Sequence, residues 1–439
     1  MIHFLIKTYE KSKKFLLLFF IRFTGLFLQF ALNIIIARLL GTAGAGIYSV
    51  YTSWFNLISN LISCGLPQLS MRSVSVLYSE KKFFEIIYFI KKSSLIFIVL
   101  GFLSSLVFLV FGTEAAEWLS GDGANAHVLQ LSAIAAIAFV FLRFLSEILK
   151  AVNKINTAMT IDSFFLPLLL VVAIYAIDYF ASHSKIDYFM AAHIGILVLL
   201  SYISWVHCKK EVCQQDSNPV HKHHSFINKR ALASFWLSSI LGMWFLSMPL
   251  LVAPAFSSIH ETGIFSASYR LITIIVNVLN ILAGIYGPKF ARNYNTKNYP
   301  ELYKDLKLTA YISIAAYIPL FLVFIFLSVP ILRIFGDDFV AGSTWLHIMA
   351  LGQLIYSATG LVGLMMNMIH REKMELLIMV VCSVGMFILM LVLGYFYSIT
   401  GIAFAFAVGL AMKNLVSFYF VQKILKSLIM ENKPSLAVA

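Results

Sequence analysis

Two arginines fall inside apolar runs, where an ionised side chain is expensive. Arg22 lies in FLLLFFIRFTGLFLQFALNIII (residues 15–36) and Arg270 in GIFSASYRLITIIVNVLNILAGIY (263–286). At the middle of a bilayer helix each would cost at least ~2.5–3.5 kcal/mol. Helical spacing aligns other polar residues with them. Arg22, Gly25, Gln29 and Asn33 follow one face of the first run, and Ser49, Ser53, Asn56, Asn60 and Ser63 repeat the pattern in the second. In the eighth run Ser266, Arg270, Thr273, Asn277, Asn280 and Gly284 form one stripe, and Gln353, Ser357, Gly360 and Asn367 mark the tenth. Guanidinium groups bind phosphate through two parallel hydrogen bonds and stay charged at physiological pH. Asn, Gln and Thr side chains suit sugar hydroxyls. A ligand with phosphate and sugar, whose own charge offsets the cost of the arginines, fits this set. The serines, threonines and glycines also suit close helix–helix packing. Arg143 is different, because Glu147 stands four residues on, within side-chain reach.

The elements that carry these residues are membrane spans. Apolar residues make up 60% of the 439 positions, charged residues 12%, and mean hydropathy is +0.88. A soluble domain carries about twice that charged fraction. Twelve runs are long enough to cross hydrocarbon. They lie near 15–36, 46–66, 93–112, 127–149, 160–180, 186–206, 231–253, 263–286, 308–330, 343–368, 375–397 and 400–421. The first lacks a small-residue cleavage site and reads as a span, with no cleavable signal peptide. The prediction is an all-α integral membrane protein.

The net charge of +13 has an orientation rather than a nucleic-acid partner behind it. With twelve spans, nearly all of the Lys and Arg fall on one side. Lys7 to Lys14 precede the first span, Lys81, Lys82, Lys91 and Lys92 follow the second, and Lys289 to Lys307 follow the eighth, with Lys413, Lys423 and Lys426 assigned to the C-terminal end. Arg38, Lys185 and Arg333 lie opposite. The positive-inside rule then places both termini in the cytoplasm. Cys64, Cys208, Cys213 and Cys382 fall in spans or cytoplasmic loops, where a structural disulfide is not expected.

The chain also echoes itself. GIYSVY (46–51) opens the second run and GIFSAS (263–268) the eighth, about half the chain apart. Six spans separate them, so both run in one direction, as in two parallel six-helix bundles related by an axis along the membrane normal. The longest hydrophilic segment, 207–230, divides an N-terminal bundle (1–206) from a C-terminal one (231–439). It holds His207, Cys208, Cys213, His221, His223 and His224, whose spacing fits no closed zinc site, so no metal is expected.

Residues 37–66, ARLLGTAGAGIYSVYTSWFNLISNLISCGL, resemble the polysaccharide flippases of the multidrug/oligosaccharidyl-lipid/polysaccharide exporter superfamily. The shared signature is Ala37, Arg38, Leu39, Leu40, Gly41, Gly46 and Tyr48. The resemblance implies two six-helix bundles forming a V around a central cavity, with alternating access between them. It implies an undecaprenyl-pyrophosphate-linked O-antigen or similar repeat unit as substrate, moved across the bacterial inner membrane. The partners it implies are that glycan, membrane lipid and other polysaccharide-assembly proteins. It places Arg22 and Arg270 among cavity arginines, with Gln29, Asn33, Asn56, Asn60, Thr273, Asn277 and Gln353 as further substrate-binding candidates. The precursor flippases for peptidoglycan carry two extra helices, so a count of twelve favours the O-unit branch.

No organic cofactor is expected. Coupling to H⁺ or Na⁺ would need a titratable or coordinating group, and Asp162 and His193 are the candidates in or near spans. Gly242, Pro249 and Pro254 in the seventh run are hinge candidates, since proline removes a backbone hydrogen bond and permits bending. Two alternatives stay open. A multidrug cation antiporter of the same superfamily would want carboxylates where the arginines lie. A membrane-embedded glycan polymerase would want a long outer loop with catalytic residues, whereas the outer loops here are short.

Overall fold

The computed structural model describes residues 2–120, 126–181, 183–213 and 229–432, and all regular structure among them is helical. In chain order the helices are α1 (Ile2–Ser63), α2 (Leu66–Ser79), α3 (Phe83–Ser120), α4 (Ala126–Ala151), α5 (Ile155–Met159), α6 (Leu166–Phe180), α7 (Lys185–Cys213), α8 (Lys229–Phe256), α9 (Ile259–Asn295), α10 (Tyr299–Phe326), α11 (Ser328–Arg333), α12 (Ser343–Thr359), α13 (Val362–Met368) and α14 (Glu372–Asn432). A π-helical turn, Thr160–Phe165, joins α5 to α6, and a 3₁₀ turn, Asp337–Gly342, precedes α12.

Among the described residues nine helices are long and apolar enough to cross a membrane, and Ile240–Phe256 is a shorter apolar one. Two of the nine are double. Gly41 (φ 70°, ψ −172°) breaks α1, and Ser398 (φ 53°, ψ −137°) breaks α14 between the predicted runs 375–397 and 400–421. Each predicted run therefore has a helical arm of its own. Gly41 adopts a backbone conformation open to glycine at little cost, and it lies in the shared signature. Elsewhere boundaries follow local chemistry. Ser258 and Glu261 form a reciprocal capping box at the start of α9, each bond 3.2 Å. Asn298 accepts the Glu301 N–H at 3.4 Å, with Pro300 in the first turn of α10. The short helix α2 follows the second predicted run, α11 starts at the end of the ninth, and α12 and α13 together make up the tenth.

The chain forms two compact units, Met1–Met243 and Trp244–Ala439, and the division falls inside α8. Residues 207–213, read as linker from the sequence, complete α7, and residues 229–230 open α8. The rest of that segment, including His221, His223 and His224, lies outside the described residues.

In the first unit α4 is the central helix, and 16 of its 26 residues are buried. The second arm of α1 runs beside it. Ser132 donates to the Tyr51 carbonyl at 3.2 Å, Phe55 and Phe139 meet edge to face at 5.0 Å, and Ser59 reaches the Ala136 carbonyl at 3.4 Å. In the second unit α12 packs on α14 and α10, and a core of Phe290, Leu302, Leu306, Met365, Met366, Ile369, Val421 and Leu425 closes one end. Contact there is backbone-close. A Cβ on Gly352 would sit 2.5 Å from Ala407 Cα and 2.7 Å from its carbonyl oxygen. The outward faces carry lipid-compatible side chains, such as Phe102, Leu109, Phe180, Phe326, Tyr395 and Phe396. Gly352→Val should therefore destabilise the second unit by about 1–3 kcal/mol through overpacking. Gly195→Ala, with open space around the new Cβ, should have little effect. Thermal melting in detergent compares the two; equal melting temperatures would reject the close α12–α14 approach.

Candidate functional site

Most polar side chains in the spans bond back to their own helix, which removes the cost of an unsatisfied group in hydrocarbon. On the second arm of α1, Ser49 donates to the Gly46 carbonyl (2.8 Å), Ser53 to Ser49 (2.7 Å), Asn56 to Thr52 (2.7 Å), Asn60 to Asn56 (2.8 Å) and Ser63 to Asn60 (3.0 Å). Ser49, Ser53, Asn60 and Ser63 are buried inside the first unit, and Asn56 is half-buried. The first arm differs. Arg22 is exposed, Gln29 and Asn33 are half-buried, and Asn33 donates to the Gln29 carbonyl at 2.8 Å. Gly25 is buried, its Cα face pressed against the Ser163 carbonyl.

The α9 stripe is graded. Residues 262–269 are all buried, and Tyr269 donates its hydroxyl to the Leu246 carbonyl. Arg270, Thr273 and Asn277 are half-buried, and Asn280 and Gly284 are exposed. Thr273 donates to the Arg270 carbonyl at 2.9 Å and Asn277 to Ile274 at 3.4 Å. Ile272, Ile275, Leu279, Leu282, Tyr286 and Phe290 are buried on the rest of the helix. One outward strip of α9 is thus cationic and amide-bearing. In contrast Gln353 is 3% exposed, packed within the second unit, and its Nε2 has no hydrogen-bond partner among the described residues.

Both coupling candidates lie in the first unit. Asp162 sits in the π-helical turn, an irregularity that recurs at functional sites. It accepts from Ser146 at 2.6 Å and from Ser163 at 2.7 Å, and Lys150 lies 3.7 Å away while pairing with Glu147 at 2.9 Å. Arg143 stacks over Phe139 at 5.8 Å and feels the charges of Glu147 and Asp162. This group is a compensated network rather than one free charge. His193 is buried among Tyr48, Tyr51 and Phe55, with ring centroids 6.3, 5.6 and 5.6 Å away. Its Nδ1 and the Tyr51 hydroxyl have no hydrogen-bond partner among the described residues.

The hinge candidates all lie in α8. Pro249 and Pro254 are buried, interior residues of a continuous helix, and Gly242 has open space at its Cβ position and precedes the Met243/Trp244 division of the units. In the linker set, His207 donates to its own helix at Ile203 (2.9 Å), and Cys208 is buried as a free thiol.

One charged pair escapes the sequence reading. Lys413, assigned above to the cytoplasmic C-terminal charges, is 8% exposed in the second arm of α14. Its Nζ lies 2.6 Å from Glu375 Oε1, and Ser417 donates to Glu375 Oε2 at 2.8 Å. The signal was present, since Lys413 falls inside the twelfth predicted run with Ser417 one turn on, and Glu375 opens the eleventh. Only the fold joins them across the Ser398 break. Removing one partner of such a pair costs about 3–5 kcal/mol, because the other charge stays buried.

These features can be set against known proteins. The family model for the polysaccharide biosynthesis protein matches residues 12–294, well over half of the chain. No curated protein matches the sequence. Among solved structures, an inward-facing multidrug resistance MATE family transporter of the MOP superfamily has TM-score 0.73 at 11% identity, covering 92% of this chain and 95% of its own. Lipid II flippase MurJ, in an inward closed conformation, has TM-score 0.63 at 17% identity, covering 96% and 92%. A MOP superfamily transporter from Pyrococcus furiosus has TM-score 0.64 at 12% identity, covering 94% and 95%. At such identities the likeness is one of fold. The family match over residues 12–294 shows that the chain belongs to the polysaccharide biosynthesis protein family, and its membrane fold is the one these transporters share.

Proposed function

We propose that this chain flips an undecaprenyl-pyrophosphate-linked oligosaccharide repeat unit, of O-antigen type or similar, across the bacterial inner membrane by alternating access. The observation that carries the reading is the outward strip of α9, where half-buried Arg270, Thr273 and Asn277 interrupt an apolar helix. A guanidinium group there suits a diphosphate, and the amides and hydroxyl suit a sugar. Arg22, Gln29 and Asn33 on the first arm of α1 offer the same chemistry. The polysaccharide family membership supports a lipid-linked glycan as cargo. Asn56, Asn60 and Gln353 are more deeply placed members of the proposed set.

The state of the acids supports an anionic cargo over a cationic drug. Asp162 accepts from Ser146 and Ser163, Glu375 pairs with Lys413, Asp178 with Lys185 (2.7 Å), and Asp305 accepts from Asn293 (2.9 Å). Each of these four carboxylates is already engaged, so an organic cation at any of them would have to displace an existing partner. In this reading both termini are cytoplasmic, an orientation that the distribution of Lys and Arg supports. A flux of H⁺ or Na⁺ drives the cycle, with Asp162 and His193 as coupling candidates, and α8 bends at Gly242, Pro249 and Pro254.

Arg270→Ala should lower surface glycan by about 10- to 100-fold at unchanged protein level, the worth of charge-assisted bonds of ~1.5–3 kcal/mol. Arg270→Lys keeps the charge without the fork and should retain part. A complemented deletion strain, scored by glycan gel and membrane immunoblot, gives the answer; full glycan in the alanine variant rejects the role. For the hinge, Pro249→Ala with Pro254→Ala restores helix hydrogen bonds and should slow translocation in proteoliposomes severalfold. A rate equal to wild type would remove α8 as the bending element.

A further inference from the structure

The second unit holds a charge cluster to which the substrate reading gives no part. Glu375 stands in the first turn of α14, and Lys413 and Ser417 lie one turn apart on its second arm, beyond the break at Ser398. Both carboxylate oxygens are taken, Oε1 by the ammonium at 2.6 Å and Oε2 by the hydroxyl at 2.8 Å. The side chains of Lys413 and Glu375 are 11% and 8% exposed. Helix α13 lies against the pair at Gly363, where a Cβ would sit 2.5 Å from Glu375 Oε1 and 3.0 Å from Lys413 Nζ. Three chain segments thus meet on one ion pair.

The first unit has a carboxylate with similar partners. There Asp162, in the fifth pass, accepts a serine hydroxyl from a neighbouring helix (Ser146, 2.6 Å) and is approached by a lysine (Lys150, 3.7 Å). Glu375 opens the eleventh pass, six passes later and in the same chain direction. The carboxylates stand at the starts of corresponding passes, but their partners come from the fourth pass in the first unit and the twelfth in the second, where the lysine contact is shorter and more deeply buried.

We propose that Glu375 and Lys413 form a proton-released latch in the second unit. Charged, they clamp the two arms of α14 to each other and to α13. When a Glu375 oxygen takes a proton from water, the ammonium loses its counter-ion and the arms part so that Lys413 can hydrate. Without that proton, parting must break a buried ion pair, so proton uptake favours opening. Other titratable side chains that feel the pair are Tyr356 of α12 and Cys382 of α14. α13, Val362–Met368, carries none. On α9 and α10, Lys289 lies over Tyr286, Lys307 over Tyr303, and Asp305 accepts from Asn293. As a coupling device the latch rests on the transport reading above, but its test uses no glycan, so a failed latch and a failed cargo assignment are told apart.

The experiment places spin labels through keto side chains at positions 377 and 419, both exposed, one on each arm. Distances are measured in liposomes from about pH 8 to about pH 3, a span that runs through the ordinary carboxylate range. Wild type should show one distance at the upper pH and gain a longer population on acidification. E375Q should show the longer population throughout. S417A, which removes one donor to the charged carboxylate, should move the transition to higher pH and keeps the test open if E375Q does not fold. A single pH-independent distance in wild type, a wild-type response in E375Q, or an unmoved transition in S417A would each overturn the latch.

Discussion

A polar group in hydrocarbon has no water to bind, and this chain meets that constraint one helix at a time. Serine, threonine and asparagine side chains donate to carbonyls three or four residues back, from Ser49 through Ser63 on α1 and again at Thr273 and Asn277 on α9. Helices whose polar side chains are so satisfied can pack closely, and glycines at the contacts let backbones approach, as Gly352 does at Ala407. The same constraint sorts the charges. Some inside the passes are paired or stacked, as Glu375 with Lys413 and Arg143 over Phe139, and the strip around Arg270 keeps polar atoms on a partly exposed surface.

The two units use related parts in different ways. Each has a helix broken by a single non-helical residue, Gly41 in α1 and Ser398 in α14, and each holds a carboxylate fixed by a serine and a lysine. The first unit embeds its carboxylate in a π-helical turn and shares Lys150 between Glu147 and Asp162. The second buries a single short pair. A buried ion pair is costly to maintain, and its retention points to specificity or switching more than to stability.

Membership of the polysaccharide biosynthesis family supports the proposal of a lipid-linked glycan as cargo, and the proposal assigns its phosphates to the arginine-bearing strip. The shared fold with drug transporters leaves the chemistry of the strip, rather than the architecture, to separate the two activities.

Composition and periodicity carry the passes, since an apolar run of about 20 residues in lipid has few options other than a helix. The stripe on α9 was legible for the same reason, because helical spacing alone aligns Ser266, Arg270, Thr273 and Asn277. Contacts between distant segments were not legible. Lys413 reads as one more basic residue until Glu375, far back in the chain, is brought to 2.6 Å. Nor does the sequence show that Tyr48, Tyr51 and Phe55 close around His193. Hydrophobic pattern is a local property and fixes where the chain crosses; burial of a charge depends on which helices meet, and that is set by packing among residues the pattern does not relate.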